Sequence, residues 1–209
     1  MAKLYFRYGA MNSGKSTAIL QVAYNYEERG QRVLLAKPAV DTKGDQNVVS
    51  RLGVTREVDF LIAPEDSVRH LMRTSARGEE PGVLIKGEMG RRPVAALLID
   101  EAQFLTADQV DELMEIAVLD NIPVLAYGLR TDFQTVAFPG SRRLLEIAHS
   151  LDELKTICRC GRKAIFNGRK VAGKFVFDGQ QVSIDGGNVT YEALCGPCYL
   201  QESGARPER

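Results

Sequence analysis

Short apolar runs alternate with stretches of helical spacing through residues 3–151 of the chain. Residues 3–8 read as a strand. Residues 18–29 then place Ile19, Leu20, Ala23 and Tyr24 on one helical face, and Gly30 stands where a helix stops. Residues 32–37 predict a second strand, in which Val33, Leu34, Leu35 and Ala36 follow one another without a polar break, as expected of a parallel strand covered on both faces. Strand, helix and strand predict a right-handed βαβ unit. Residues 65–75 predict a surface helix, 76–93 a mobile connection containing Gly, Glu and Arg, and 94–99 a buried strand. Thr106 is placed as the N-cap of a helix over 106–119, whose Val110, Leu113, Met114 and Ala117 share the packing face. A strand over 121–127 and a last helix over 141–151, with Leu144, Leu145 and Ile147 apolar, follow. His70 and His149 fall within helices and read as surface or packing histidines.

The turn between the first strand and the first helix carries chemistry. It reads Gly9, Ala10, Met11, Asn12, Ser13, Gly14, Lys15, Ser16, a Gly-x-x-x-x-Gly-Lys-Ser sequence between a strand and a helix, which is the context of a P-loop. Gly9 and Gly14 allow backbone N–H groups to close around phosphate oxygens. Lys15 reaches toward the β- and γ-phosphates, Ser16 offers a hydroxyl to Mg²⁺, and the helix N-terminus adds partial positive charge. The fold class that follows is α/β: a P-loop NTPase-like parallel sheet with helices on both faces. Asp100 and Glu101, at the end of the strand over 94–99, form the Walker B arrangement, with Asp100 on Mg²⁺ and Glu101 free to act as a base. An acidic pair favoured by a helix N-terminus is the competing reading.

Two loops fall at carboxyl ends of strands, where open α/β sheets place ligands. Residues 38–56 are polar and read either as a substrate- or phosphate-side loop or as a solvated connection. Residues 128–133 end in Phe133, which with Phe138 either walls a pocket for a flat ring or anchors the loop, Phe133 being the better pocket residue.

Beyond Leu151 the character changes, so the chain divides into a nucleotide-binding unit over 1–151 and a small unit over 152–209. All four cysteines lie there, as Cys158-x-Cys160 and Cys195-x-x-Cys198, with 34 residues between the inner two. Four thiolates satisfy tetrahedral Zn²⁺ and clip a segment too small to bury its own core, which predicts a structural zinc ribbon. Redox-active thiols are the alternative, without the thioredoxin-like context. Between the pairs, Gly186 and Gly187 expose main chain able to read a small polar ligand, and Tyr191 either closes over that ligand or packs on the ribbon. With 27 basic and 27 acidic residues the chain lacks the footprint of a protein that binds nucleic acid through phosphates. Neither a signal peptide nor an 18-residue apolar span is expected, which points to a cytoplasmic protein without a membrane partner.

The P-loop, residues 100–104, residues 127–133, the cysteine pairs, and Gly186-Gly187 with Tyr191 together resemble, in order and across almost the whole chain, the zinc-containing cytosolic thymidine kinases in their bacterial form. The resemblance implies transfer of the γ-phosphate of ATP to the 5′-hydroxyl of thymidine, with Mg²⁺ accompanying ATP and a homotetrameric assembly. It implies Glu101 as general base; Gly9 to Ser16, Asp100 and Gln103 at the nucleotide; and Phe104, Phe133, Val182, Ser183, Ile184, Asp185, Gly186 and Tyr191 at the nucleoside. Two features depart from the family pattern: Asp185, where an apolar residue is common, and the longer connection over 76–93. A nucleic-acid-stimulated P-loop ATPase is the alternative from another class, disfavoured because a two-lobed motor needs a second domain of comparable size.

Overall fold

The computed structural model describes residues 1–40, 46–77, 92–179, 181 and 189–204. Most of the expected 76–93 connection and the candidate loop residues Val182, Ser183, Ile184, Asp185, Gly186 and Gly187 therefore lie outside the described residues. The strands β1 (Leu4–Gly9), β2 (Arg32–Pro38), β3 (Asn47–Val49), β4 (Thr55–Glu57), β5 (Phe60–Ile62), β6 (Val94–Ile99), β7 (Val124–Leu129) and β8 (Ser150–Glu153) alternate with helices α1 (Lys15–Glu28), α2 (Val68–Arg77), α3 (Ala107–Leu119) and α4 (Pro139–Ile147). Six of these strands form one parallel sheet in the order β5-β2-β6-β7-β1-β8.

The unbroken apolar runs have the predicted cause. Successive side chains of a strand leave opposite faces, so a strand covered on both sides needs apolar residues at every position. Val33, Leu35, Ala96, Leu98, Leu125 and Tyr127 pack with Ile19, Leu20 and Ala23 of α1 on one face. Leu34, Ala36, Leu97, Ile99, Val124 and Ala126 pack on the other with Val68 and Met72 of α2, Val110 and Leu113 of α3, and Leu144 of α4. Tyr127 is the polar exception inside the first cluster, and its hydroxyl accepts from Arg7 Nη1 at 2.7 Å. Thr106 caps α3 through a capping box, its side chain accepting from the Gln109 amide while the Gln109 side chain accepts from the Thr106 amide.

The crossover from β1 through α1 to β2 is a long one, because β7 and β6 lie between the two strands in the sheet. Two differences from the sequence reading are tertiary. Residues 150 and 151, read as the end of a helix, belong instead to the edge strand β8 beside β1, α4 ending at Ile147. A four-residue strand half exposed at an edge has too little apolar alternation to announce itself. Residues 47–57, all but the last within the segment read as a polar loop, form the antiparallel hairpin β3-β4, seated on α1 through the buried Val48.

The far end of α3 stops at Asp120, an acidic residue where the helix dipole disfavours one. Two arginines of α2 reverse that penalty: Arg69 donates to Asp120 at 2.8 and 3.0 Å and Arg73 at 2.8 Å. The hydrogen bond from Arg69, opposed by burial, holds the Asp120 carboxyl below its ordinary range. Since the folded pKa is the lower one, this stabilisation is present above the unfolded carboxylate range and is lost as pH falls through the folded value. Asp120→Asn is expected to cost about 1–2 kcal/mol near neutral pH, shrinking as pH falls below about 4. Urea unfolding at several pH values checks this; a pH-independent deficit would show that Asp120 acts through packing alone.

The remaining strands, β9 (Thr156–Ile157), β10 (Lys163–Ala164), β11 (Phe166–Val171), β12 (Lys174–Val176) and β13 (Val189–Leu194), are antiparallel and lead into α5 (Gly196–Ser203). Their core contains Cys158, Ala164, Ala193, Leu194, Cys195 and Tyr199, and it also takes in Ala10 of the P-loop.

Candidate active site

The P-loop follows β1 directly, and the strand β7 separates β1 from β6, so the P-loop and Asp100 stand at the carboxyl end of the same sheet. Gly14 caps α1 with φ of 81°, a left-handed conformation that glycine adopts without penalty. A Cβ on Gly9 would come within 2.3 Å of Ser13 Oγ and 2.7 Å of the Leu154 carbonyl, so the loop closes only over a glycine. Lys15 is 8 % exposed, and its Nζ donates to the Ala10 carbonyl at 3.2 Å, across the mouth of the loop.

A cavity of about 900 Å³ opens over this loop. Met11, Asn12, Ser13, Gly14, Lys15 and Ser16 line one side, the first turns of α1 and residues 47–52 of the hairpin another, and Asp100 with Glu101 the third. The polar segment over 38–56 thus contributes a wall of the site rather than a plain solvated connection. Lys37, which the sequence reading did not single out, is 1 % exposed at the end of β2 and donates to the Asn47 carbonyl at 3.3 Å, tying the hairpin to the sheet.

Asp100 is buried, and its Oδ1 accepts from the Glu101 amide at 3.0 Å. Glu101 adopts φ 49°, ψ 37°, left-handed for a residue with a Cβ. Such a conformation costs roughly 1–3 kcal/mol and persists where the surroundings over-determine it, commonly at active sites. Gln103 supplies part of that constraint. It is 1 % exposed, its Nε2 donates to Glu101 Oε2 at 2.5 Å, and its Oε1 accepts from the Leu129 amide at 3.0 Å. Gln103, which is not among the residues that line the cavity, thus stands behind Glu101 and orients it. Gly9, Ala10, Phe104, Phe133 and Tyr191 are likewise not among the residues that line this cavity.

Phe104 stacks edge-on against Phe138, with ring centroids 5.6 Å apart. Phe133 is buried; its carbonyl accepts from the Tyr199 hydroxyl at 2.7 Å, and the Arg169 guanidinium lies 3.9 Å from its ring centroid. Tyr191 pairs across the sheet with Arg169, which puts the two on one face of β11-β13. Asn167 and Arg169, missed in the sequence because an Asn and an Arg in a short strand carry no motif, are buried on that face.

The four cysteines converge as the paired motifs predict: their sulfurs all lie within 4.8 Å of one another. A tetrahedron of thiolates about 2.3 Å from one Zn²⁺ spaces sulfurs by roughly 3.8 Å, so the cluster fits a metal ion of that size and softness. Burial opposes the Cys158 thiolate, but the backbone amides of Cys160 and Cys195 and the neighbouring thiols outweigh it and bring its pKa down to about 7. Cys198 is pushed up to about 12 by the thiols of Cys195, Cys160 and Cys158. Four sulfurs this close together could hold a metal ion, consistent with zinc.

Comparison with known proteins agrees with this geometry. The thymidine kinase family model matches residues 2–199. The thymidine kinase of Idiomarina loihiensis is 45% identical over 208 residues, 99% of this chain and 100% of that one. That of Ruegeria pomeroyi is 43% identical over 206 residues, 98% and 96% of the two chains, and that of Legionella pneumophila strain Paris is 47% identical over 197 residues, 93% and 88%. A match of this length, over a Gly-x-x-x-x-Gly-Lys-Ser loop, an acidic pair and a four-thiol cluster in one chain, places the protein in the thymidine kinase family.

Proposed function

We propose that the cavity over the P-loop binds ATP and that the chain transfers its γ-phosphate to the 5′-hydroxyl of thymidine. The observation that carries this reading is the convergence of Lys15, Ser16, Asp100 and Glu101 on one cavity, in a chain of the thymidine kinase family. Phosphoryl transfer needs positioning and charge neutralisation more than covalent help. The amides of residues 13–16, at the positive end of α1, receive the phosphates, and Lys15 neutralises their charge. The Ser16 hydroxyl and the buried Asp100 carboxylate are the groups that would hold Mg²⁺, which supplies charge neutralisation on the phosphate oxygens. Glu101 accepts the 5′-hydroxyl proton as that oxygen bonds to the γ-phosphorus and the bond to the β-phosphate oxygen breaks, releasing ADP and thymidylate.

The nucleoside is read by Phe104, Phe133, Tyr191 and the segment over 182–186, which the C-terminal unit, residues 152–209, presents to the nucleotide-binding unit over 1–151. Zn²⁺ on Cys158, Cys160, Cys195 and Cys198 holds that unit together. No helix among the described residues is long and apolar enough to cross a membrane, and we place the enzyme in the cytoplasm as a homotetramer, in keeping with the family resemblance. Incubation with Mg²⁺ and ATP, with thymidine or single-stranded DNA added, tests the reaction. Thymidine-dependent ADP release with matching thymidylate is expected; stimulation by DNA alone would favour a nucleic-acid-dependent ATPase.

A further inference from the structure

The shape of the phosphate-binding loop is held from outside the loop. Residues Ala10 to Ser13 make a tight turn, closed by the Ser13 amide donating to the Ala10 carbonyl at 3.3 Å. Its third residue, Asn12, has φ of 65°. A turn with positive φ at that position favours glycine, and asparagine tolerates it at a cost. The two peptide groups flanking this turn are restrained by the C-terminal part of the chain. The Met11 amide donates to Asn167 Oδ1 at 2.7 Å, and the Asn12 carbonyl accepts from Thr156 Oγ1 at 3.4 Å.

Asn167 is itself immobilised. It is 3 % exposed on β11, and its Nδ2 donates to the Thr131 carbonyl at 3.0 Å, so both ends of its amide are used. Its two partners lie in the segments that follow β1 and β7, neighbouring strands of the sheet. One side chain from the antiparallel sheet thus fixes both loops at the ligand edge. The loop's Ala10, buried in the core around Cys158 and Cys195, adds a packing contact in the same direction.

We propose that Asn167 is a positioning residue for nucleotide binding: it enforces the left-handed turn at Asn12 and so aims the amides of Ser13 to Ser16 before phosphate arrives. This rests on the reading of the P-loop cavity as the nucleotide site. Preorganised donors bind without paying for their own ordering, so loosening the turn weakens phosphate binding while every direct phosphate contact remains available.

Titration calorimetry with Mg-ADP, without nucleoside, is the test. Asn167→Ala is expected to weaken Mg-ADP about tenfold, the effect of one lost buried hydrogen bond. Asn12→Gly in the Asn167→Ala background is expected to recover most of that loss, because glycine adopts the turn unaided. Recovery separates positioning from general destabilisation, which a second substitution in the loop would not repair. Mg-ADP affinity within twofold of wild type in Asn167→Ala, or a weakened affinity that Asn12→Gly leaves unrepaired, overturns the proposal. If Asn167→Ala does not fold, Asn167→Ser, whose shorter side chain does not reach the Met11 amide, takes its place: a weaker Mg-ADP affinity repaired by Asn12→Gly is expected, and an unchanged affinity overturns the proposal. Wild-type protein that fails to bind Mg-ADP would instead sink the nucleotide site itself.

Discussion

Glu101→Gln is expected to lower kcat by a factor of about 10²–10⁴, the range contributed by a positioned general base. The substitution is close to isosteric. The oxygen that accepts from Gln103 Nε2 is retained, so the buried Gln103 keeps its partner and its bond to the Leu129 amide. The left-handed backbone at residue 101 is equally tolerated by Gln. What is removed is the negative charge and the capacity to take a proton. The KM for ATP and the affinity for Mg-ADP should therefore change little, since Lys15, Ser16 and Asp100 are untouched. Steady-state kinetics in both substrates, together with nucleotide titration, gives the split. A kcat within threefold of wild type would remove Glu101 as the base; a parallel collapse of nucleotide affinity would make it a structural residue.

Cys195→Ser is expected to have the largest effect on stability. Cys195 is buried with Cys158 at the centre of the C-terminal core, and its sulfur stands 3.4 Å from that of Cys160. A hydroxyl is a poor substitute for a thiolate in a tetrahedral sulfur site, and losing a structural metal belongs to the small class of changes costing about 4 kcal/mol or more. The damage should not stop at the ribbon, because Ala10 packs in the same core and Asn167 holds the Met11 amide from an adjoining strand. We expect one zinc per chain in the wild type and less in the variant, a lowered Tm, faster proteolysis beyond β8, and weakened binding of both thymidine and nucleotide. Metal analysis, thermal unfolding and limited proteolysis read these independently. A wild-type protein without metal, or a variant of unchanged Tm, would refute the structural role of the cluster.

The parts of the fold legible in the sequence are those whose signal is local. Each buried parallel strand must be apolar at every position, so 33–36 and 94–99 announced themselves as strands covered on both faces. A capping box shows in four consecutive residues, and Thr106 began its helix as expected. The P-loop is legible for the same reason, its glycines and lysine being spaced along one turn. The cysteine pairs are legible because metal-ligand geometry restricts spacing. Weakly patterned segments were not: the hairpin over 47–57 and the edge strand over 150–153 are short and half exposed, and a few half-exposed residues satisfy strand and loop alike.

By itself, then, the sequence determined that this chain has a Gly-x-x-x-x-Gly-Lys-Ser turn between a strand and a helix, an acidic pair after a buried strand, and four thiols able to meet. Only the tertiary structure decided that β6 and β7 separate β1 from β2, that residues 47–52 of the hairpin wall the cavity, that Gln103 backs Glu101, and that Asn167 and Ala10 join the loop over Gly9 to Ser16 to the C-terminal part of the chain. The physical reason is range. Backbone propensity, capping and strand patterning act between residues a few positions apart, whereas a side chain such as Asn167, 156 positions from the amide it holds, acquires its partner only when the packed sheets bring the two together.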